Sequence, residues 1–405
     1  MHVVVIGAGQ AAASLIGKLR AEGFDGPITL VGAEPVPPYQ RPPLSKAYLL
    51  GEMEEERLYL RPAAWYGEQD VTLRLGTRAV ALDPAAKVVT LEGDEALPYD
   101  ALALCTGSYP RTLPEAVGGH LDGVFTMRDL RDADTLRPEL VKGRRVLVVG
   151  GGYIGLEAAA VAAKSGLQVT LVEAAERILQ RIAAPVTSDW FRALHSAHGV
   201  DIREGVGLET LIGDADDRVT GARLKDGTEL EIDLAIVGVG IQPATILADT
   251  AGLAIDNGIA TDLHCRTSDP HIWAAGDCAS HLYRGERIRL ESVGGAIDMA
   301  EAAALNILGR ETEYHPRPWF WSDQYDVHLQ IAGLNRGWTD VHVRPGAGER
   351  SASHWYYADG ALIAVDAMND SRAYMVGKRL IEAGRSPDPA VATDPATDLK
   401  ALLRG

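Results

Sequence analysis

The sequence is short of cysteine, of positive charge and of long apolar runs, and each shortage closes off a class of protein. Among 405 residues only Cys105, Cys265 and Cys278 are cysteines, and no two are near neighbours. That excludes a disulfide framework and a thiolate metal site, and leaves each as a small buried hydrophobe. Lys and Arg number 39 against 56 Asp and Glu, a net charge of -17, which disfavours nonspecific contact with nucleic acid or an anionic membrane. No apolar run approaches the ~20 residues of a membrane span. The first strand follows Met1 so closely that no signal peptide is expected, and a bacterial-type cytoplasm is the expected compartment. What is present, 46% hydrophobic and 23% charged residues, is the composition of a globular chain with room for two or three domains.

The chain opens on MHVVVIGAGQAA, residues 1–12. Val3 to Ile6 read as a buried parallel strand, and Gly7, Gly9 and Ala12 supply the G-x-G-x-x-A turn into a helix. Gly7 permits the tight turn, Gly9 lets backbone N–H groups approach a pyrophosphate, and Ala12 keeps helix and strand close. One such turn is weak evidence, but RVLVVGGGYIGLE, residues 145–157, repeats it in full with Gly150, Gly152 and Gly155. Two fingerprints imply two dinucleotides, and the usual pair is a flavin and a nicotinamide.

In chain order, a strand Ile28 to Val31 leads to Glu34, spaced from the glycines as an acceptor for ribose hydroxyls should be. The prolines of PPYQRPPLSKAYL, residues 37–49, predict an extended loop bringing Arg41 and Lys46 toward whatever the first fingerprint binds. Residues 71–91 read as a strand meander. A buried strand, Ala101 to Cys105, ends in Thr106 and Gly107, a return crossing to the first dinucleotide, and a helix is expected around Leu130 to Leu140. In the second unit the strand Val169 to Val172 ends at Glu173, which suits an adenosine ribose 2′-hydroxyl and repels a 2′-phosphate, favouring NAD over NADP; Arg177 nearby would soften that preference. A strand Leu234 to Val237 closes this unit. In HIWAAGDCA, residues 271–279, Gly276 and Asp277 end a strand where an acid can hold a sugar-alcohol hydroxyl. From Pro318 aromatic residues alternate at period two, predicting a small antiparallel β domain with terminal helices, and the stretch from Ser386 reads as loosely ordered.

Taken together, GAGQAA, PPYQRPPLSK, TGSYPR, GGGYIGLE, AAGDCA, LESV and PWFWSDQY stand in the order of a known family. Over nearly its whole length the chain resembles the NADH-dependent, FAD-containing ferredoxin reductases of bacterial haem-thiolate monooxygenase and Rieske dioxygenase systems, within the glutathione-reductase fold class. The resemblance implies an α/β fold: two Rossmann-like dinucleotide-binding domains (three-layer ββα type) plus a C-terminal α+β domain. The expected boundaries are 1–108 with 242–317 for FAD, 109–241 for NAD and 318–405 for the last domain. It implies an FAD site at Gly7, Gly9, Ala11, Glu34, Arg41, Lys46, Ala79, Arg128, Asp277 and Val293, and an NADH site at Gly150, Gly152, Ile154, Glu157 and Glu173. In the family the residues matching Lys46 and Glu157 meet near the flavin on its nicotinamide side, and the one matching Trp321 lies toward the partner; for Trp321 a plain core position is an equal alternative.

The chemistry implied is transfer of a hydride from NADH to FAD, then release of electrons one at a time to a 2Fe-2S ferredoxin serving an oxygenase. Disulfide reductases of this class need a C-x-x-x-x-C pair in the first long loop, where this chain has prolines and no cysteine, so an external acceptor is required. The resemblance implies a monomer. Three departures bear on partner choice: Ala33 precedes Glu34 where relatives carry a second acid, Gly294 and Gly295 follow the LESV string, and Glu301 stands where relatives have a docking arginine. Ferredoxins are usually acidic, so a basic patch is expected despite the net charge, with Arg284, Arg287, Arg289, Arg310 and Arg317 as its candidates. Two other readings stay open: an FAD-dependent NADH reductase of monodehydroascorbate, a quinone or oxygen, and an NADH-sensing flavoprotein of the apoptosis-inducing-factor type.

Overall fold

The computed structural model describes residues 1–404. The chain divides into two compact units, Met1–Gln40 with Glu54–Tyr109 and Ile241–Pro318, and Arg41–Met53 with Pro110–Gly240 and the segment from Trp319 onward.

The first unit is built on a five-stranded parallel sheet in the order Ile272–Ala274, Ala101–Leu104, Val3–Ile6, Ile28–Val31 and Val71–Arg74. Its central strands are almost wholly apolar because both faces are covered, Thr29 being the one polar residue, and every residue of Val3–Ile6, Ile28–Val31 and Ala101–Leu104 is buried. The helix Gln10–Ala21 packs on the helix Val293–Ile307, and both helices bury alanines, among them Ala12, Ala300, Ala303 and Ala304. The expected meander begins only at Ala79: Ala79–Asp83, Val88–Leu91 and Ala96–Pro98 form the antiparallel sheet, whereas Val71–Arg74 joins the parallel sheet as its edge. An isolated short apolar run does not reveal which sheet it will join.

The second unit repeats the parallel pattern in the order Asp201–Glu204, Gln168–Glu173, Arg145–Val149, Leu234–Val237 and Val124–Phe125. It also holds a five-stranded antiparallel sheet, Trp319–Gln324, Val327–Gly333, Ala361–Met368, Ala352–Ala358 and Asp340–Pro345, with the helix Ser371–Glu382 packed on it. The helix expected over 130–140 is α-helical at Leu130–Leu136 and tightens into a 3₁₀ turn, Arg137–Glu139, where Pro138 removes a backbone donor.

Two local expectations are corrected. The proline loop is not extended: Pro42–Ser45 is a 3₁₀ helix, because a proline φ near −65° at the first helical positions suits a helix as well as an extended chain. The segment after Ser386 is tied down rather than loose. The buried Arg344 guanidinium donates to the carbonyls of Ala392, Asp394, Pro395 and Thr397, and Ala392 and Leu399 are buried against the C-terminal sheet. Among the described residues no helix is long and apolar enough to cross a membrane.

Candidate active site

The first unit holds a dinucleotide cradle. Gly7 has φ +103°, and a Cβ there would lie 2.1 Å from the Cys105 carbonyl oxygen, so only glycine fits the turn. At Gly9, by contrast, a Cβ would meet nothing within 4 Å, and the helix that starts beyond it has no side-chain cap. Orphan helix N–H groups facing open space beside a glycine are what a pyrophosphate requires. Ala11 and Ala12 are buried in the first turn of this helix, and a Cβ at Gly276 would lie 3.1 Å from that of Ala11, which places the Gly276–Asp277 turn at the same helix. Asp277 accepts from Ser108 Oγ at 2.8 Å, while the neighbouring Thr106 donates to the Ala244 carbonyl at 2.7 Å and Gly107 has φ +71°. Glu34 accepts from the Tyr39 hydroxyl at 2.6 Å. Ala79 starts the antiparallel sheet and Val293 is the first residue of its helix, capped by Ser292, whose Oγ accepts from the Gly295 N–H.

Arg41, Lys46 and Arg128 belong to the second unit. Arg41 donates to the Arg128 carbonyl at 3.0 Å, so these two are neighbours.

The second cradle has the same logic. Gly150 has φ +108° with a Cβ position 2.4 Å from the Gly238 carbonyl oxygen, Gly152 faces open space, and a Cβ at Gly155 would lie 2.0 Å from the Gly150 carbonyl oxygen. Gly150 thus makes the turn and Gly155 the helix–strand contact, while Gly152 leaves the space that a ligand approach needs. Glu173 accepts from the Gly151 N–H at 2.7 Å and the Ala175 N–H at 2.8 Å, which fixes its carboxylate against the glycine loop. Arg177 is committed elsewhere, to Ser188 Oγ at 2.5 Å and the Gln180 carbonyl. Ile154 is exposed beside the loop.

On the helix after this loop, Glu157 is only 2% exposed, and its Oε2 lies 2.9 Å from Lys46 Nζ. A buried carboxylate is tolerated when its charge is paired and its lone pairs are filled. Both conditions hold: Ser45 Oγ donates to Oε2 at 2.6 Å and Ser322 Oγ to Oε1 at 2.7 Å. The sequence reading missed both serines. Ser322 had one signal, a polar residue on the buried face of an otherwise aromatic strand; Ser45 had none beyond its place before Lys46. Trp321, next to Ser322, is half-buried, stacks on Trp319 at 5.5 Å and lines a groove of about 190 Å³ with Trp319, Phe320, His328, Gln330 and Tyr374. It is thus a surface aromatic rather than a core one.

The three thiols are buried, and burial raises the Cys105, Cys265 and Cys278 pKa above the ordinary thiol range. They are inert by both access and protonation. The expected basic patch is largely neutralised: Arg287 pairs with Asp256 at 3.5 Å, Arg289 with Glu291 at 2.8 Å, and Arg310 with Glu22.

Residues 1–303 match the family model for pyridine nucleotide-disulphide oxidoreductases, and residues 319–403 match a reductase C-terminal model. The chain is 42% identical over 405 residues to a ferredoxin–NAD(P)(+) reductase of a Sphingomonas species, covering 99% of this chain and 97% of the relative. It is 40% identical over 410 residues to the putidaredoxin reductase of Pseudomonas putida, covering 99% and 96%. Among solved structures it superposes on putidaredoxin reductase in a covalent complex with putidaredoxin, with a TM-score of 0.96, 39% identity and coverage of 100% and 98%. The chain therefore belongs to the pyridine nucleotide-disulphide oxidoreductase family, and within it to the FAD- and NAD(H)-dependent ferredoxin reductases.

Proposed function

We propose that the protein passes electrons from NADH through FAD, one at a time, to a 2Fe-2S ferredoxin that serves an oxygenase. The observation that carries this reading is the absence of a usable thiol: two dinucleotide cradles stand in a chain whose three cysteines are buried and protonated, so electrons must leave for an external acceptor.

FAD is assigned to residues 1–108 with 242–317, NADH to 109–241, and 318–405 to the third domain. The flavin supplies the step from a two-electron donor to one-electron acceptors. Gly7, Gly9, Ala11, Ala12, Thr106, Gly107, Gly276 and Asp277 would hold it, with Glu34 at the ribose and Ala79, Arg41, Arg128 and Val293 as further contacts. Gly150, Gly152, Ile154, Gly155 and Glu173 would hold NADH; Glu173 favours a free 2′-hydroxyl, and Arg177 is turned to Ser188 rather than toward a 2′-phosphate. Lys46, kept in place by Glu157, holds a positive charge where negative charge accumulates, an interaction stronger in a water-poor site than in bulk water. Trp321, stacked on Trp319, would present an aromatic face toward the partner.

Single-turnover oxidation of the NADH-reduced protein by a 2Fe-2S ferredoxin, followed at the flavin and cluster absorbances, tests this. Two clusters reduced per NADH is the expected stoichiometry. Rapid oxidation by a quinone or oxygen with no cluster reduction would contradict it.

A further inference from the structure

Beyond Ser322 the buried polar contacts do not stop. Gln324 Nε2 lies 3.1 Å from Ser322 Oγ, Gln324 Oε1 lies 2.8 Å from His195 Nε2, and His195 Nδ1 lies 3.1 Å from the Tyr325 hydroxyl. Ser322, Gln324 and His195 are each 0% exposed. Six residues, Lys46, Glu157, Ser322, Gln324, His195 and Tyr325, thus form one hydrogen-bonded line within the second unit.

The direction of every link is fixed by the groups themselves. A carboxylate only accepts, so Ser322 spends its one hydrogen on Glu157. Its oxygen must then accept, which requires the amide nitrogen of Gln324 on that side; the flipped amide would set oxygen against oxygen. The amide oxygen also only accepts, so His195 must carry its hydrogen on Nε2. Burial pushes the His195 imidazole down to about 4, and a neutral ring with a hydrogen on Nε2 has a bare Nδ1, which accepts from Tyr325. The groups around the ring are Gln324, Tyr325 and His198.

Tyr325 is the first residue of the two-residue hairpin turn that joins Trp319–Gln324 to Val327–Gly333, and its φ of +58° is the one such a turn takes at that position. The backbone holds it there while its ring stacks on His198 at 3.6 Å and 10° and its hydroxyl meets His195.

We infer that Ser322, Gln324 and His195 are positioning residues, a one-way chain of donors that orients the Glu157 carboxylate against Lys46, with Gln324 setting the tautomer of His195 and Tyr325 donating to its bare Nδ1. An amide has no readily transferred proton, so the chain orients and polarises and does not conduct. Its kinetic consequence rests on the roles proposed for Lys46 and Glu157, whereas the tautomer of His195 does not.

The test uses the holoenzyme labelled with 15N-histidine, alongside Gln324→Glu, which keeps side-chain size and removes the donor toward Ser322. Wild-type His195 is expected as the neutral Nε2–H form. In Gln324→Glu it is expected as imidazolium paired with the new carboxylate, and flavin reduction by NADH slows about tenfold with FAD content and NADH affinity unchanged. His195→Gln, whose amide N–H replaces the Nε2–H, is expected to keep the rate near wild type. The Nδ1–H tautomer in the wild type, or wild-type flavin reduction in a Gln324→Glu protein whose His195 has become imidazolium, overturns the inference. The first result leaves the functional proposal standing, so the two can fail separately.

Discussion

Lys46 Nζ and Glu157 Oε2 lie 2.9 Å apart, with the glutamate 2% and the lysine 16% exposed. Removing the lysine leaves a buried carboxylate without its counter-charge, a change that costs about 3–5 kcal/mol when the pair is fully buried. Lys46→Met is therefore expected to lower the melting temperature and to slow flavin reduction by NADH while the purified protein keeps its FAD. Stopped-flow reduction at matched FAD content checks this. A loss of FAD with no change in rate per flavin would make Lys46 a binding residue alone.

The two kinds of glycine in each cradle separate folding from cofactor binding. Ala at Gly7 or Gly150 would push a Cβ to within 2.1 or 2.4 Å of a carbonyl oxygen at positive φ, so both variants should fail to fold. Ala at Gly9 or Gly152 meets no protein atom within 4 Å. These variants should fold, and each apoprotein should melt like wild-type apoprotein, yet Gly9→Ala should purify with little FAD and Gly152→Ala should show a raised KM for NADH. Normal cofactor affinity in both would remove the cradles from the account.

Glu173 accepts two backbone N–H groups and so sits fixed at the mouth of the second glycine loop. Glu173→Ala should reduce the kcat/KM preference for NADH over NADPH by roughly tenfold, since both the ribose acceptor and the repulsion of a 2′-phosphate are lost. Equal selectivity in variant and wild type would sink the role.

Acid should destabilise the fold through three buried histidines. His195, His281 and His354 have their imidazoles lowered from 6.5 to about 4 by burial. Above pH 6.5 neither state binds the protons; between about 6.5 and 4 the unfolded chain does and the folded chain does not. Each therefore removes about 1.4 kcal/mol per pH unit as the pH falls through that window. Asp366 acts oppositely: burial raises its carboxyl to about 7, so the fold gains a proton first and one histidine's loss is offset between about pH 7 and 4. His281 makes the cleanest variant, because neither of its ring nitrogens has a hydrogen-bond partner among the described residues. His281→Leu should raise the melting temperature at pH 7 and flatten its fall between pH 6.5 and 5; an unchanged slope would contradict the assignment.

The glycine loops were legible in the sequence because turn, approach and packing each demand glycine or alanine at fixed spacing; the structure finds the steric demand at Gly7, Gly150 and Gly155 and open space at Gly9 and Gly152. Lys46 and Glu157 are far apart in sequence, and only resemblance joined them. Ser45, Gln324 and His195 were not legible, and Ser322 only faintly so: period-two alternation puts Ser322 and Gln324 on one face of an aromatic strand, but nothing local says which partners that face meets. The arginine cluster misled in the converse way. Crowded in sequence, Arg287, Arg289 and Arg310 look like a patch, but their acids at Asp256, Glu291 and Glu22 come from elsewhere in the fold or from an adjacent strand end. Proline fixes φ and leaves ψ open, which is why residues 42–45 could be placed as ordered yet not as helical.

The central claim is that this chain is an electron adapter with an external one-electron acceptor. NADH-driven cytochrome c reduction by the FAD-loaded protein, with and without a 2Fe-2S ferredoxin from the same organism, tests it most directly. The account predicts a slow basal rate and a large, saturable increase with ferredoxin. Fast flavin reduction by NADH with no dependence of cytochrome c reduction on ferredoxin would contradict it.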